Sequence, residues 1–185
     1  MTLEIQKNRT ATKYSKKEQL LRVLWMLGGF FFRFSPRPFF GLRRSLLRLF
    51  GSQVGEKVNI YPSATIYFPW NLIIGDYSAI GEHALIYNLG PVEIGKNVTI
   101  SHMAQVCAGT HDYTDPAMPL LKPMIVIEDN VWICTQAFVG PGISVKEGAV
   151  IGAGAVLTKS TEKWMVYAGN PAKPIKSRKL KKHNS

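Results

Sequence analysis

The sequence predicts an all-β solenoid, a parallel β-helix of short stacked strands, on three observations. Aliphatic residues recur at every sixth position: Val54, Ile60, Ile66; Ile74, Ile80, Ile86; Ile94, Ile100, Val106; and, after an interruption, Ile127, Ile133, Val139, Val145, Ile151 and Leu157. A small or β-branched residue tends to stand four places after each, as at Ala64, Ser78, Ala84, Val98, Ala104, Ala137, Ala149 and Ala155. The steps from Ile66 to Ile74 and from Ile86 to Ile94 are eight residues rather than six, so three hexapeptides make one turn of a prism. One coil of such a repeat cannot bury its own apolar stripe, whereas stacked coils share a core.

The same arithmetic predicts register. Val54, Ile74 and Ile94 lie twenty apart and should stack, while Ile127 and Val145 are eighteen apart because the inserts have gone. Gly75, Gly81, Gly95, Gly140 and Gly152 each follow an aliphatic residue, where tight corners favour glycine. The chain of 185 residues reads as one domain with appendages: a basic amphipathic helical cap over 1–51, a solenoid over 52–160 with an excursion loop at 107–126, and a basic C-terminal tail over 161–185.

Charge follows that division. Residues 1–50 hold eleven Lys or Arg against two acids, residues 51–160 hold five against nine, and residues 161–185 hold seven against one, giving +9, −4 and +6 and the overall +11. The column therefore lacks a basic stripe, which argues against nucleic acid as a partner. Two cysteines, Cys107 and Cys134, give no disulfide framework and suit a reducing cytoplasm.

In the N-terminal zone Lys13, Lys16 and Lys17 precede an apolar stretch from Leu20 to Phe34 that superficially resembles a signal peptide, yet Arg33, Pro36, Arg37 and Pro38 follow in place of a small-residue cleavage site. The charge-free run Val23 to Phe32 has ten residues; a bilayer span requires roughly 20. Beyond Pro38, Leu42, Leu46 and Leu49 fall on one helical face and Arg43, Arg44 and Arg48 on another, and Gly51 can end the helix. One or two amphipathic helices are expected. They would cap the open end of the solenoid and could also contact an anionic membrane surface peripherally, each basic residue contributing about 1 kcal/mol.

The interruption between Val106 and Ile127 breaks the beat with Ala108-Gly109-Thr110-His111-Asp112-Tyr113-Thr114-Asp115-Pro116 and must leave the prism as a loop, where rigid scaffolds commonly carry function. Of the other histidines, His183 lies in the polar tail, and His83 and His102 are nineteen apart, nearly one coil, and could be neighbours on the outer wall.

The six-residue beat, the excursion with Thr110-His111-Asp112, the restart Val131-Trp132-Ile133, the run Ile151-Gly152-Ala153-Gly154-Ala155-Val156-Leu157-Thr158-Lys159 and the tail Ala168-Gly169-Asn170-Pro171-Ala172-Lys173 together resemble the hexapeptide-repeat O-acetyltransferases, such as the maltose and galactoside acetyltransferases. Ser35-Pro36-Arg37-Pro38, Tyr61-Pro62-Ser63-Ala64, Pro69-Trp70-Asn71-Leu72 and His111-Asp112-Tyr113 are similar to the acetyltransferases of colanic-acid-type exopolysaccharide biosynthesis. The resemblance covers roughly residues 35–176. It implies a left-handed β-helix, a homotrimer with active sites between subunits, and acetyl-CoA as co-substrate with no metal.

By the same resemblance His111 is the general base that deprotonates a sugar hydroxyl, a task suited to an imidazole whose ordinary pKa is about 6.5. Asn88 matches the residue that meets the oxyanion or the acceptor, or is an ordinary corner residue, and Asp112 shapes the loop or meets the acceptor. Trp132 offers an apolar wall for the coenzyme. Thr135, Ala153, Thr158 and Lys159 match positions at its pantetheine and nucleotide ends, and Lys173 and Lys176 match basic residues on its phosphates. The expected activity is O-acetylation of a sugar in surface polysaccharide or lipid-linked oligosaccharide synthesis, in the cytoplasm or at the inner membrane surface. A smaller acceptor, such as a free or nucleotide-linked sugar or an antibiotic, is the alternative. Two rival classes are a zinc enzyme like the γ-type carbonic anhydrases, which would need three converging histidines with two of them five apart, and a non-catalytic scaffold.

Overall fold

The structure is a computed structural model and describes residues 2–181; His183 lies outside them. Each aliphatic residue of the repeat closes a strand of two or three residues and points into the column, and all fifteen are buried. The strands stack as parallel ladders in three sheets. The first sheet contains Gln53–Val54, Leu72–Ile74, Val92–Ile94, Ile125–Ile127 and Ser144–Val145, in that order. Its register pairs Val54 with Ile74, Ile74 with Ile94 and Ile127 with Val145, as the spacing predicts, and joins Ile94 to Ile127 across the excursion. The second sheet adds to its five column strands a C-terminal hairpin, Met165–Ala168 and Lys173–Ser177, and the third sheet has five strands. The three-fold repeat thus gives a prism of five coils whose edges are corners between sheets.

The corner glycines are explained by crowding. A Cβ on Gly75 would stand 2.6 Å from the carbonyl carbon of Gly95 on the next coil, so the backbones meet where no side chain fits. Positive φ falls two residues later, at Lys57, Tyr77, His83, Asn97, Met103, Asn130 and Gln136, so the left-handed turn residue is mostly not glycine. The expected link between glycine and the turn conformation is corrected accordingly.

Ladder polarity governs both ends. Each coil donates its N–H groups to the carbonyls of the next, as in Gly55 N to Ile74 O (2.8 Å), Gly75 N to Ile94 O (2.7 Å) and Gly95 N to Ile127 O (2.7 Å). The first coil is therefore left with carbonyls that need donors, and the last with N–H groups that need acceptors. At the last coil Ser144 N and Lys146 N donate to the hydroxyls of Ser160 and Thr161, and Gly152 N and Val156 N donate to the carbonyls of Tyr167 and Gly169.

Three helices precede the first coil, α1 (Ile5–Thr10), α2 (Lys16–Arg33) and α3 (Phe40–Leu49), and the last two cover it. Helix α2 starts on a capping box, with Ser15 Oγ accepting from Glu18 N and Glu18 Oε2 accepting from Ser15 N. The Ser15 backbone N–H first, then the Ser15 side chain, hold the Glu18 carboxyl below its ordinary pKa. The basic residues of the cap supply the missing donors: Arg48 to Val54 O, Arg44 to Val58 O, Arg43 to Ile60 O, Arg33 to Ser63 O, and the Trp25 indole to Ile66 O. This overturns the expected faces of α3. Leu42 and Leu49 are exposed, while Arg43 is buried beside the buried Leu47, because five-donor guanidinium groups suit a row of bare carbonyls better than leucine does.

Helix α2 carries adjacent glycines in opposite surroundings. A Cβ on Gly28 would lie 2.6 Å from the Phe50 ring, whereas one on Gly29 would meet nothing within 4 Å. Overpacking costs about 1–3 kcal/mol, and replacing an interior helical glycine by alanine gains about 1 kcal/mol. Thermal unfolding should therefore rank Gly29→Ala above wild type and Gly28→Ala below Gly29→Ala; equal Tm values for the two variants would contradict the packing described.

Candidate active site

The excursion leaves the column at the edge between the third and first sheets, after the strand Gln105–Cys107, and returns at Ile125–Ile127. It is a flap built on a short antiparallel ladder in which Thr110 pairs with Leu121 and His111 with Leu120. Polar side chains close its turn: Asp112 Oδ1 accepts from Thr114 N (3.0 Å) and from Thr114 Oγ1 (2.6 Å), and Asp115 Oδ1 accepts from Ala117 N (2.7 Å). The Thr114 hydroxyl, then its backbone N–H, pull the Asp112 carboxyl below its ordinary pKa. Asp112 thus shapes the loop.

His111 is exposed, with Nδ1 2.7 Å from the carbonyl oxygen of Met118. A carbonyl only accepts, so Nδ1 carries the proton and the Nε2 lone pair is free. The same carbonyl accepts from the amide of Asn8, a buried residue of α1 whose Nδ2 also lies 3.3 Å from His111 Nδ1. Glu4 N donates to Pro116 O and Lys122 Nζ to Lys13 O (3.0 Å), so the N-terminal arm straps the flap at three points. Asn8 stands 103 residues from His111 in the chain, and the sequence reading missed it.

Asn88 is fully buried. Its Oδ1 accepts from Phe68 N (3.0 Å) and its Nδ2 donates to Phe68 O (2.6 Å), so the amide imitates a ladder rung between neighbouring coils at the corner that carries the two-residue inserts. Within one chain Asn88 exposes no side-chain surface, and both ends of its amide are engaged by the Phe68 backbone.

The remaining residues fall on two edges. His102, Thr135 and Ala153 stand two places after Ile100, Ile133 and Ile151 on successive coils, and so line the edge between the second and third sheets. There Thr135 Oγ1 lies 2.9 Å from His102 Nε2 and donates to His102 O (3.0 Å). Trp132 lies half-exposed on the adjoining second sheet, its indole N–H donating to Ser101 Oγ (2.9 Å). Lys173 and Lys176 are exposed on the terminal strand of that sheet. Thr158 and Lys159 follow the strand Val156–Leu157 and so sit, exposed, on the flap's edge two coils further on. One chain therefore holds His111, Thr158 and Lys159 on one edge and Thr135, Ala153, Trp132 and the two tail lysines towards another.

His83 and His102 share one corner on neighbouring coils and take different partners there: the backbone N–H of His83 donates to Ser63 Oγ, and the His102 ring meets Thr135. Among the described residues no group of three or more His, Cys, Asp or Glu could hold a metal ion. Cys107 and Cys134 are free and half-buried, and burial pushes the Cys134 thiol up.

Beside the flap a cluster not anticipated from sequence gathers around Tyr14. Arg22 Cζ lies 4.3 Å and Lys122 Nζ 4.6 Å from its ring centre, and the ring stacks on Phe68 at 6.1 Å. Tyr67 meets Tyr87 edge-on at 4.9 Å nearby. Burial is the main cause that raises the Tyr87 phenol above its ordinary pKa, so it stays a neutral donor at physiological pH.

Comparison with known proteins places this geometry. Residues 124–159 match the family model described as bacterial transferase hexapeptide (six repeats). The chain is 36% identical over 158 residues to WcaF of Escherichia coli (strain K12), provisionally named a colanic acid biosynthesis acetyltransferase, covering 85% of this chain and 87% of that protein. A hexapeptide-repeat acetyltransferase of Vibrio cholerae, VCA0836, solved in complex with acetyl coenzyme A, superposes with a TM-score of 0.81 at 26% identity over 94% of this chain and 96% of that one. A galactoside acetyltransferase in complex with coenzyme A superposes with a TM-score of 0.82 at 25% identity, over 94% and 88% of the two chains.

Proposed function

Because this chain belongs to the hexapeptide-repeat acetyltransferases, enzymes on a left-handed parallel β-helix, we propose that it transfers acetyl from acetyl-CoA to a sugar hydroxyl in surface polysaccharide or lipid-linked oligosaccharide synthesis. The observation that carries the mechanism is the His111 ring, pinned through Nδ1 on the Met118 carbonyl with Nε2 free. Nε2 takes the hydroxyl proton as the sugar oxygen attacks the thioester carbon. The tetrahedral intermediate then expels the CoA sulfur, which recovers that proton from Nε2. Proton and acetyl thus exchange between two partners in one ternary complex, without an acyl-enzyme.

The coenzyme is proposed to lie between subunits of a homotrimer. The separation of the flap edge from the edge with Thr135 and Ala153 supports this, because two chains can face these edges across one groove while a single chain cannot. Trp132 then walls the pantetheine, Thr135 and Ala153 line its path, Thr158 and Lys159 meet the nucleotide end, and Lys173 and Lys176 meet the phosphates. Trp132→Ala should raise KM for acetyl-CoA by about tenfold, since a buried aromatic contact is worth roughly 1–2 kcal/mol, and leave kcat nearly unchanged; steady-state kinetics reading a kcat loss instead would place Trp132 at the reacting atoms.

A cytoplasmic location with peripheral membrane contact is part of the same proposal. Helix α2 exposes Leu20, Val23, Leu27, Phe30, Phe31 and Phe34, and Lys13, Lys16, Lys17 and Arg33 flank them, the composition of an interfacial helix. No helix among the described residues is long and apolar enough to cross a membrane. The activity is tested by incubating the protein with acetyl-CoA and a panel of free, nucleotide-linked and lipid-linked sugars. Mass spectrometry should find acetyl on a sugar hydroxyl; acetyl on none of them, with intact CoA binding, would refute the reading.

A further inference from the structure

Between α2 and the first-coil wall runs a groove of about 770 Å³, floored by Trp25, Phe32 and Ile66 and edged by Arg22 and Arg33. These arginines are eleven residues apart on α2, or roughly 16 Å along the axis at 1.5 Å per residue. The groove stays open at its middle because Gly29 has no side chain, and a Cβ there would meet no atom within 4 Å. Its neighbour Gly28 is needed for packing against Phe50; Gly29 serves no packing and disfavours the helix, which leaves the open groove as its use.

The end of the groove at Arg22 is cationic and adjoins the flap. Arg22 and Lys122 flank the Tyr14 ring, and Lys122 follows Leu121, the residue paired with Thr110 next to His111. The carboxylate that both cations influence, Glu18, is committed to the Ser15 cap, and among the described residues neither cation has an ion-pair partner. An apolar channel edged by Arg22, with Lys122 of the adjoining pocket on the same Tyr14 ring, has the chemistry of a hydrocarbon chain ending in phosphate.

We propose that this groove binds the polyprenyl chain of a lipid-phosphate-linked sugar acceptor, with the phosphate on Arg22 and Lys122, the tail running past Gly29 towards Arg33, and the sugar presented to the flap. The assignment rests on the acetyl-transfer reading for its purpose but not for its test. Full-length protein is titrated with detergent micelles carrying a long-chain polyprenyl monophosphate, with micelles carrying the parent polyprenol, and with phosphatidylglycerol vesicles. Wild type should prefer the monophosphate to the alcohol by about tenfold, a difference of 1.4 kcal/mol. Gly29→Leu, whose Cβ meets no atom within 4 Å, should weaken binding of the monophosphate about tenfold at an undiminished Tm while turnover of a lipid-free sugar is unchanged. Arg22→Gln should abolish the preference for phosphate over alcohol. Unaltered binding by Gly29→Leu, or equal competition by phosphatidylglycerol vesicles, would overturn the proposal. Altered binding in a protein that acetylates no sugar would leave the groove assignment standing and sink the acetyl-transfer reading alone.

Discussion

Replacing His111 by alanine is expected to lower kcat for acetyl transfer by about 10²–10⁴-fold, the range for a positioned general base, with little change in KM for acetyl-CoA. The split follows from geometry. His111 is exposed on the flap and its ring hydrogen-bonds through Nδ1 within the flap, so its loss removes a proton acceptor and disturbs neither the column nor the edge bearing Thr135 and Trp132. A neutral sugar hydroxyl attacks a thioester poorly, since positive charge builds on its oxygen until a base removes the proton. The variant should also hydrolyse acetyl-CoA no faster than wild type, and its Tm should stay close to wild type. If His111→Ala kept wild-type kcat, the imidazole would be a strut of the flap, and the base would have to be sought elsewhere along the edge.

The column was legible because it is a local code repeated. Burying one aliphatic residue per hexapeptide fixes which way every strand faces, so the pairing of Val54 with Ile74 and of Ile127 with Val145 follows from counting. The flap was legible as a break in that count. The residues that failed are those whose partners depend on ladder polarity or on distant chain. Asn88 left two readings open by position, and counting alone does not reveal that its amide meets the backbone of Phe68 on the preceding coil. Asn8, Tyr14 and Arg22 approach the flap only because α1 and α2 fold back over the first coil, and no period in the sequence records that return. A capping-box motif, Ser15 with Glu18 ahead of an apolar run, was present and could have placed the start of α2.

Arg43 is the sharpest case, because hydropathy assigns it to solvent and the column end takes it inside. Its guanidinium is fully buried and donates from Nε to Ile60 O (2.5 Å), from one terminal nitrogen to Ser35 Oγ (2.7 Å) and Pro36 O (2.9 Å), and from the other to Arg37 O (2.6 Å). Burial lowers its pKa from the ordinary guanidinium value, but the group stays protonated at any pH at which the protein folds. Arg43→Met removes the charge and keeps much of the volume, leaving four acceptors without their donor. Hydrogen bonds to a charged group are worth about 1.5–3 kcal/mol each, and orphaned buried acceptors add to that loss, so a net destabilisation of about 3–5 kcal/mol is expected, the range for breaking a buried charged contact. At roughly 2–4 °C per kcal/mol for a chain of this size, Tm should fall by about 6–20 °C. Arg43→Lys, which keeps the charge without the planar fork, should recover less than half of the loss. Arg44→Gln, which removes one half-buried bond to Val58 O, should cost about 1 kcal/mol or less. Calorimetry on the three variants separates the explanations: a drop shared equally by Arg43→Met and Arg44→Gln would mean that net charge near the column end matters, whereas a large drop at position 43 beside a small one at position 44 means that the loss follows the number and burial of the carbonyls left without donors.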